Sequence, residues 1–175
     1  LGAIGNLYRL QGDFTQALAI AQQLGDFTLE DKILNEVGQQ LRQSGQLDKA
    51  LEPYEQALAR AKEVGDKSAE GRALANLGRI YRALEDYQAA QKTYDAALIL
   101  VRENGDQEVE SRILLDLGKI YRATGNDDQA LRNFQQALPL AQARKDSATE
   151  RVLQESIGSI LLDKADYANA LQAYE

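Results

Sequence analysis

The sequence predicts an all-α fold, an array of antiparallel helix pairs built from one repeating unit. The segment Leu-x-x-Leu-Gly-x-Ile-Tyr that starts at Leu74 returns 40 residues later at Leu114. Every unit contains two apolar stretches of helical period, separated by a short turn. Self-similarity at a fixed period of about 20 to 50 residues is typical of repeat architectures. The repeat glycines that mark the units are Gly5, Gly38, Gly78, Gly118 and Gly158.

The first helix of each pair contains the repeat glycine. In the unit around Gly78, the side chains of Leu74, Leu77 and Tyr81 fall on one face at about 100° per residue. The unit around Gly118 repeats this stripe. We therefore predict first helices over about residues 1–10, 27–43, 67–83, 107–123 and 147–163.

The second helix of each pair carries a stripe of small and aromatic residues, such as Ala90, Tyr94 and Ala97. We expect the tyrosines to pack between helices. We predict second helices over about residues 13–24, 47–64, 87–104, 127–144 and 166–175. The first of them is short, because Gly5 and Gly38 are only 33 residues apart. The missing seven residues equal about two turns, so the apolar stripe stays in register.

Short polar pairs separate the units. Glycine can adopt the left-handed conformation that closes a helix, and aspartate can accept the free N–H groups of the next helix. At the last junction Lys145 replaces the glycine and Asp146 keeps the cap. The three complete pairs are Gly25-Asp26, Gly65-Asp66 and Gly105-Asp106.

These junctions divide the chain into five units of a single array, about residues 1–25, 26–65, 66–105, 106–145 and 146–175. Leu1 is not an initiator methionine, and both ends fall inside repeats. We therefore expect a segment of a longer protein. No signal peptide is visible, so the sequence assigns no location and a cytoplasmic one is the default.

The composition argues against several classes of function. A net charge of −7 disfavours nucleic-acid binding, and no apolar run approaches the length of a membrane span, about 20 residues. Without Cys or His, thiolate chemistry, imidazole bases and soft-metal sites are excluded. We expect no enzyme, cofactor or metal. The regularly spaced carboxylates are explained by the dipole of a first helical turn: Glu30, Glu70, Glu110 and Glu150.

The motif residues resemble the tetratricopeptide repeat. That family combines Leu-Gly-x-x-Tyr in its first helix with Ala-x-x-x-Phe/Tyr in its second. Here Leu77-Gly78 precedes Tyr81, and the second half recurs at Ala50/Tyr54, Ala90/Tyr94, Ala130/Phe134 and Ala170/Tyr174. The period is 40 residues rather than about 34, and the closing proline is absent. The chain looks like the long-helix variety of kinesin light chains, Pins-type adaptors and bacterial regulatory proteins.

The resemblance implies a right-handed superhelix of antiparallel helix pairs, with the first helices along its concave surface. It also implies a protein-binding role. Asn76 resembles the family asparagine that holds the backbone of a bound peptide, and Asn35 is a weaker candidate. The set that clamps chaperone tails matches poorly here, because Asp116 stands where that set has a basic residue.

One face of the first helices is basic. Counted from each repeat glycine, positions −6, +1 and +4 cluster opposite the core stripe. These positions hold nine of the twenty basic residues and no acidic one. The basic residues are Arg9, Lys32, Arg42, Arg72, Arg79, Arg82, Arg112, Lys119 and Arg122.

A strip of one charge sign attracts a ligand of the opposite sign. We therefore predict a peptide-binding groove for an acidic or carboxylate-bearing segment, formed by these nine residues and Asn76. Arginine suits this ligand because its planar fork can hold a carboxylate with two hydrogen bonds. The strip ends in the last unit, where Val152, Ser159 and Leu162 replace the bases.

Two alternatives remain open at the level of sequence. The array could be a structural spacer whose terminal helices stack on further copies of itself, since the ends lack an obvious polar cap. It could also be the regulatory domain of a larger signalling or protease-like enzyme. The leading hypothesis is an adaptor or scaffold module that binds another protein.

Overall fold

The computed structural model describes residues 1–174, which contain ten α-helices and no strand. Each predicted helix is present, and the all-α fold of paired helices is confirmed. Residue 175, the end of the last predicted helix, lies outside the described residues. The helices are α1 (Gly2–Leu10), α2 (Phe14–Leu24), α3 (Phe27–Gln43), α4 (Leu47–Val64), α5 (Lys67–Ala83), α6 (Tyr87–Glu103), α7 (Gln107–Ala123), α8 (Asp127–Ala143), α9 (Ser147–Asp163) and α10 (Tyr167–Tyr174).

The predicted caps set the helix boundaries. The Asp66 carboxylate accepts a hydrogen bond from the Ala69 N–H at 2.9 Å. Each of Asp26, Asp106 and Asp146 likewise accepts a hydrogen bond from the N–H of the residue three positions later. Gly65 closes α4 in the left-handed conformation, with φ of 75°. Lys145 adopts that conformation too, with φ of 57°, although it has a Cβ.

The chain separates into two compact units, one spanning Leu1–Leu100 and one that begins at Val101. The boundary falls inside α6. In the first unit α1 packs on α2, α2 on α3, α3 on α4 and α4 on α5. In the second unit α7 packs on α8, α8 on α9 and α9 on α10. The core of each unit therefore lies between successive helices.

An aromatic ring of the second helix covers the repeat glycine of the first. A Cβ added at Gly38 would lie 2.6 Å from the Tyr54 ring, and one at Gly118 would lie 2.3 Å from the Phe134 ring. Tyr94 and Tyr174 cover their glycines in the same way. This contact confirms that the aromatic residues of the second helices pack between helices.

The first unit contains the shortened helix. Helix α2 has 11 residues and α4 has 18, so the seven missing residues come from the second helix, as predicted. Ala17 and Ala21 of α2 are both fully buried, so the apolar register is preserved. A surface cavity of about 750 Å³ opens beside α2 and is lined by residues of α2, α3 and α4, including Leu34 and Pro53.

Candidate functional site

The predicted binding residues all lie on first helices. Seven belong to the first unit: Arg9 on α1, Lys32 and Arg42 on α3, and Arg72, Asn76, Arg79 and Arg82 on α5. Three belong to the second unit, on α7: Arg112, Lys119 and Arg122. The single strip predicted from the sequence is therefore described as two sets, one in each unit.

Helices α3 and α5 are joined by a polar network. The side-chain amide of Asn76 donates to Asn35 Oδ1 at 2.8 Å, and Asn35 donates to the Asp31 carboxylate at 2.9 Å. Arg72 forms an ion pair with Asp31 at 3.5 Å. Burial raises the pKa of Asp31, and Arg72 and Asn35 oppose that rise. The two asparagines expected to hold a peptide backbone are thus bonded to each other.

Helices α1 and α3 are joined by an ion pair between Arg9 and Glu36. Arg9 also donates to Asn6 Oδ1 at 3.0 Å within its own helix. Arg9 was predicted as a ligand-binding cation, and the structure places a carboxylate of the protein against it.

The positive charges of Arg42 on α3 and Arg79 on α5 act on the hydroxyl of Tyr54. Burial raises the pKa of that hydroxyl, and both guanidinium groups oppose the rise by their positive charge. The Tyr54 ring is buried against Gly38, so the hydroxyl position is fixed by packing. Among residues 1–174, Arg42 and Arg79 have no ion pair or hydrogen bond with another side chain. Lys32, which is exposed on α3, has none either.

In the second unit, Arg122 of α7 reaches two side chains of α9. It donates to Asp163 Oδ2 at 2.6 Å and to Ser159 Oγ at 3.2 Å. A cleft of about 480 Å³ adjoins this contact, and Lys119 and Phe134 are among its lining residues. The contact brings α7 and α9 side by side, as Asn76 and Asn35 do for α5 and α3.

Arg112 is turned along its own helix. It pairs with Glu108 at 3.0 Å, and Glu108 also accepts a hydrogen bond at 2.6 Å from Arg144, the residue that follows α8. Arg112 therefore belongs to an exposed ion-pair network on α7 and at the end of α8. Such exposed pairs contribute little to stability, typically about 0 to 1 kcal/mol.

Several of the predicted cations are neutralised by carboxylates that were not among the predicted site residues. Counted from the repeat glycine of their own helices, Asp31 holds position −7, Glu36 position −2 and Asp163 position +5. The three basic positions contain no acid, but Glu36 and Asp163 hold positions three and four residues from position +1 and therefore share its helix surface. A count that included positions −7, −2 and +5 would have found these three carboxylates.

Two further kinds of feature are absent from the described part of the chain: a cluster of metal ligands and a membrane-spanning helix. Within residues 1–174, no three acidic side chains are grouped as a metal ion would require. Among the same residues, no helix combines the length and apolarity needed to cross a bilayer.

Solved structures share this fold. The chain is 22% identical to BtubC (BKLC) from P. vanneervenii, with a TM-score of 0.75 over 97% of this chain and 73% of that one. It is 16% identical to PH0952 from Pyrococcus horikoshii, a Signal Transduction ATPase with Numerous Domains that has a tetratricopeptide repeat sensor, with a TM-score of 0.73 over 92% of this chain and 26% of that one. It is 15% identical to a putative kinesin light chain with TPR-like repeats from Podosopora anserina, with a TM-score of 0.62 over 98% and 89%.

Sequence identities this low support a shared fold and no shared function. No curated protein matches the chain significantly. Family models of the tetratricopeptide repeat match residues 1–32, 29–103 and 72–143, which together cover most of the 175 residues. The chain therefore belongs to the tetratricopeptide repeat family.

Proposed function

We propose that this chain is an adaptor or scaffold module that binds an acidic or carboxylate-bearing peptide segment on its first helices. Tetratricopeptide repeats generally serve as protein–protein interaction modules. The observation that supports the site is the contact between adjacent first helices. Asn76 bonds to Asn35 in the first unit, and Arg122 bonds to Asp163 in the second. In each unit, residues at or beside the basic positions thus lie on a common surface.

The cations without an internal carboxylate favour an anionic ligand. Lys32, Arg42 and Arg79 are on α3 and α5 of the first unit, and none is paired within residues 1–174. Cations collected on one surface raise the local concentration of anions. Arg42 and Arg79 can each offer two parallel N–H groups to one carboxylate. We place the main contribution to binding in the first unit for this reason.

The test is titration with an acetylated and amidated hexaglutamate peptide, followed by fluorescence anisotropy. Capped hexaglutamine and hexalysine serve as reference peptides. We expect hexaglutamate alone to bind, because only its carboxylates match the exposed cations. Lys32→Glu should weaken binding about threefold or more, since a repulsive charge replaces an attractive one near the ligand. Lys92→Glu, on the second helix α6, is the matched control and should change affinity less.

Equal binding of hexaglutamate and hexaglutamine would contradict the proposal. Equal effects of the Lys32 and Lys92 variants would contradict the placement of the site on the first helices, because both variants alter the net charge of the chain identically.

A second candidate function is self-association through the terminal helices. On α1, Leu7 and Leu10 are 54% and 68% exposed. On α10, Tyr167 and Leu171 are 68% and 63% exposed and lie four residues apart on one face. Apolar residues grouped in this way on a surface favour contact with another protein. A second copy is the occupant that this candidate requires.

Sedimentation velocity over a range of protein concentrations tests the second candidate. We expect the chain to form dimers or larger species, and Leu171→Glu with Tyr167→Glu to shift the distribution toward monomer. A strictly monomeric chain at high concentration would remove this candidate and leave the peptide-binding proposal intact.

A further inference from the structure

Three of the arginines that lie four residues after a repeat glycine can be compared at junctions of first helices within the two units. Arg9 is paired with Glu36, where α1 meets α3. Arg122 is paired with Asp163, where α7 meets α9. Arg42, where α3 meets α5, has no carboxylate partner within residues 1–174.

The sequence explains the difference at Arg42. Asp163 lies five residues after its repeat glycine, and the corresponding residue of α5 is Ala83. Glu36 lies two residues before its repeat glycine, and the corresponding residue of α5 is Asn76, which is bonded to Asn35. The two positions that supply a carboxylate at the other junctions are therefore held by Asn76 and Ala83 in α5, and neither residue is acidic.

Two further exchanges make this junction more favourable for an anion. Ser159, which accepts a hydrogen bond from Arg122, is replaced in α5 by Arg79. Tyr54 adds a hydroxyl where the second unit has only the Phe134 ring. At the equivalent junction Arg122 reaches Ser159 at 3.2 Å, so we expect Arg42 to lie close to Arg79. Both arginines also oppose the rise in the pKa of Tyr54 that burial causes. Two neighbouring cations without a counter-ion repel each other, and an anion between them relieves that repulsion.

We propose that Arg42 and Arg79, together with the Tyr54 hydroxyl, form a subsite for one carboxylate group of the ligand between α3 and α5. This inference rests on the proposed peptide-binding function and assigns the residues that recognise the charged group. Beside Arg9 and Arg122, Glu36 and Asp163 supply an internal carboxylate from two different repeat positions. Beside Arg42, the carboxylate of a ligand would take that role.

The geometry supports an order of importance within the subsite. The guanidinium groups supply charge-assisted hydrogen bonds, which are roughly twice as strong as neutral ones. The Tyr54 hydroxyl supplies one further donor whose position is fixed by the ring against Gly38. We therefore expect Arg42→Gln and Arg79→Gln each to weaken hexaglutamate binding about tenfold, or about 1.4 kcal/mol. Tyr54→Phe should weaken it less and should leave the ring packing intact.

The sharpest test supplies the missing internal carboxylate. Ala83→Asp places an acid at the position that Asp163 holds in α9, so it should pair with Arg42 and reduce hexaglutamate affinity about tenfold. Ala83→Asn controls for size, and Ala96→Asp, exposed on α6, controls for net charge. Both controls should bind like the unmodified chain. Circular dichroism and thermal unfolding confirm that each variant remains folded.

Removing an internal carboxylate should make its arginine available to the ligand. Asp163→Ala removes the carboxylate from Arg122 and should raise hexaglutamate affinity about threefold or more. Asp95→Ala, on the second helix α6, controls for the change in net charge. An unchanged or lower affinity of Asp163→Ala, relative to Asp95→Ala, would show that the internal carboxylate does not occupy a ligand position.

The outcomes separate the subsite from the general function. If the unmodified chain binds hexaglutamate and Ala83→Asp weakens binding no more than Ala96→Asp, the subsite is wrong and the binding function stands. If the unmodified chain does not bind hexaglutamate, the binding function and the subsite both fail. A capped-N-terminus Gly-Ser hexapeptide with a free C-terminus distinguishes a terminal carboxylate from acidic side chains as the preferred group.

Discussion

The repeat glycine is required because an aromatic ring occupies the space of its Cβ. At Gly118 an added Cβ would lie 2.3 Å from Phe134, closer than carbon atoms can approach. At Gly5 the nearest atoms belong to Ile20 and Leu29 at 3.0 Å, and no ring covers this glycine. Glycine is therefore required at position 118, whereas position 5 can accept a Cβ more easily.

We expect Gly118→Ala to destabilise the second unit by about 1 to 2 kcal/mol. Overpacking costs about 1 to 3 kcal/mol, and the better helix propensity of alanine offsets up to about 1 kcal/mol of it. Gly5→Ala should have a much smaller effect, because flexible side chains can move away. Chemical denaturation of both variants measures the difference, and an equal loss at the two glycines would contradict the ring-packing explanation.

The sequence predicted which residues share the polar face, because helical period alone fixes that face. It did not predict which cations are neutralised. Arg9 and Arg122 reach carboxylates on the adjacent first helix, 27 and 41 residues away in sequence. A long arginine side chain can reach several neighbouring residues. Which carboxylate it pairs with depends on the spacing between helices and not on the helical period of the sequence. The Tyr54 hydroxyl was not among the predicted site residues, because the ring was assigned to packing between helices.

At the scale of helices, boundaries followed the sequence closely because each junction carries its own capping residues. At the junctions between units, Lys145 replaces the glycine, with φ of 57° where Gly65 has 75° and Gly105 has 69°. A residue with a Cβ is disfavoured in this conformation, by roughly 1 to 2 kcal/mol. The sequence alone located this weak point, since Lys145 precedes Asp146 just as Gly105 precedes Asp106.

Lys145→Gly should therefore raise the stability of the second unit by about 0.5 to 1 kcal/mol, because glycine adopts the left-handed conformation without strain. Gly105→Ala is the reciprocal variant and should lower stability by a similar amount. Thermal unfolding of both variants tests the pair. A loss of stability in Lys145→Gly would mean that the lysine side chain makes a contribution larger than the backbone strain.

The cap of α9 also predicts a dependence on pH. Hydrogen bonds from Thr149 hold the pKa of Asp146 below its usual value of 3.8. Because the folded pKa is depressed, the cap stabilises the protein fully above the unfolded pKa, and this stabilisation is lost as pH falls through the folded pKa. Asp146→Asn keeps a capping oxygen that does not titrate. The difference in melting temperature between the two proteins should shrink below about pH 4, and a constant difference would contradict this account.

At the scale of the whole molecule, the acidic balance conceals the basic positions. The net charge is −7, yet nine of the twenty basic residues occupy three positions of the first helices. Overall charge describes solubility and weak long-range attraction, whereas a binding surface depends on local arrangement. The family and the fold followed from the repeat pattern, but the identity of a ligand depends on exposed side chains that the repeat does not constrain.

Salt should weaken peptide binding if this local charge is responsible. Raising ionic strength from about 0.01 M to 1 M shortens the Debye length from about 30 Å to 3 Å. We expect the affinity for hexaglutamate to fall by about tenfold or more over this range, mainly through slower association. Sodium chloride titrations monitored by stopped-flow anisotropy test this. An affinity independent of salt would indicate that apolar contacts dominate.

The shortened α2 has a consequence for engineering. Helix α2 has 11 residues, whereas α4, the second helix of the next unit, has 18. Ala17 and Ala21 of α2 are nevertheless buried. Because seven residues make about two whole turns, the outer helix of a unit tolerates lengthening or trimming in steps of that size without rotating its inner face. A graft of residues 47–53 into α2 is thus a natural way to insert new side chains beside the 750 Å³ cavity while the helices beneath it keep their alignment.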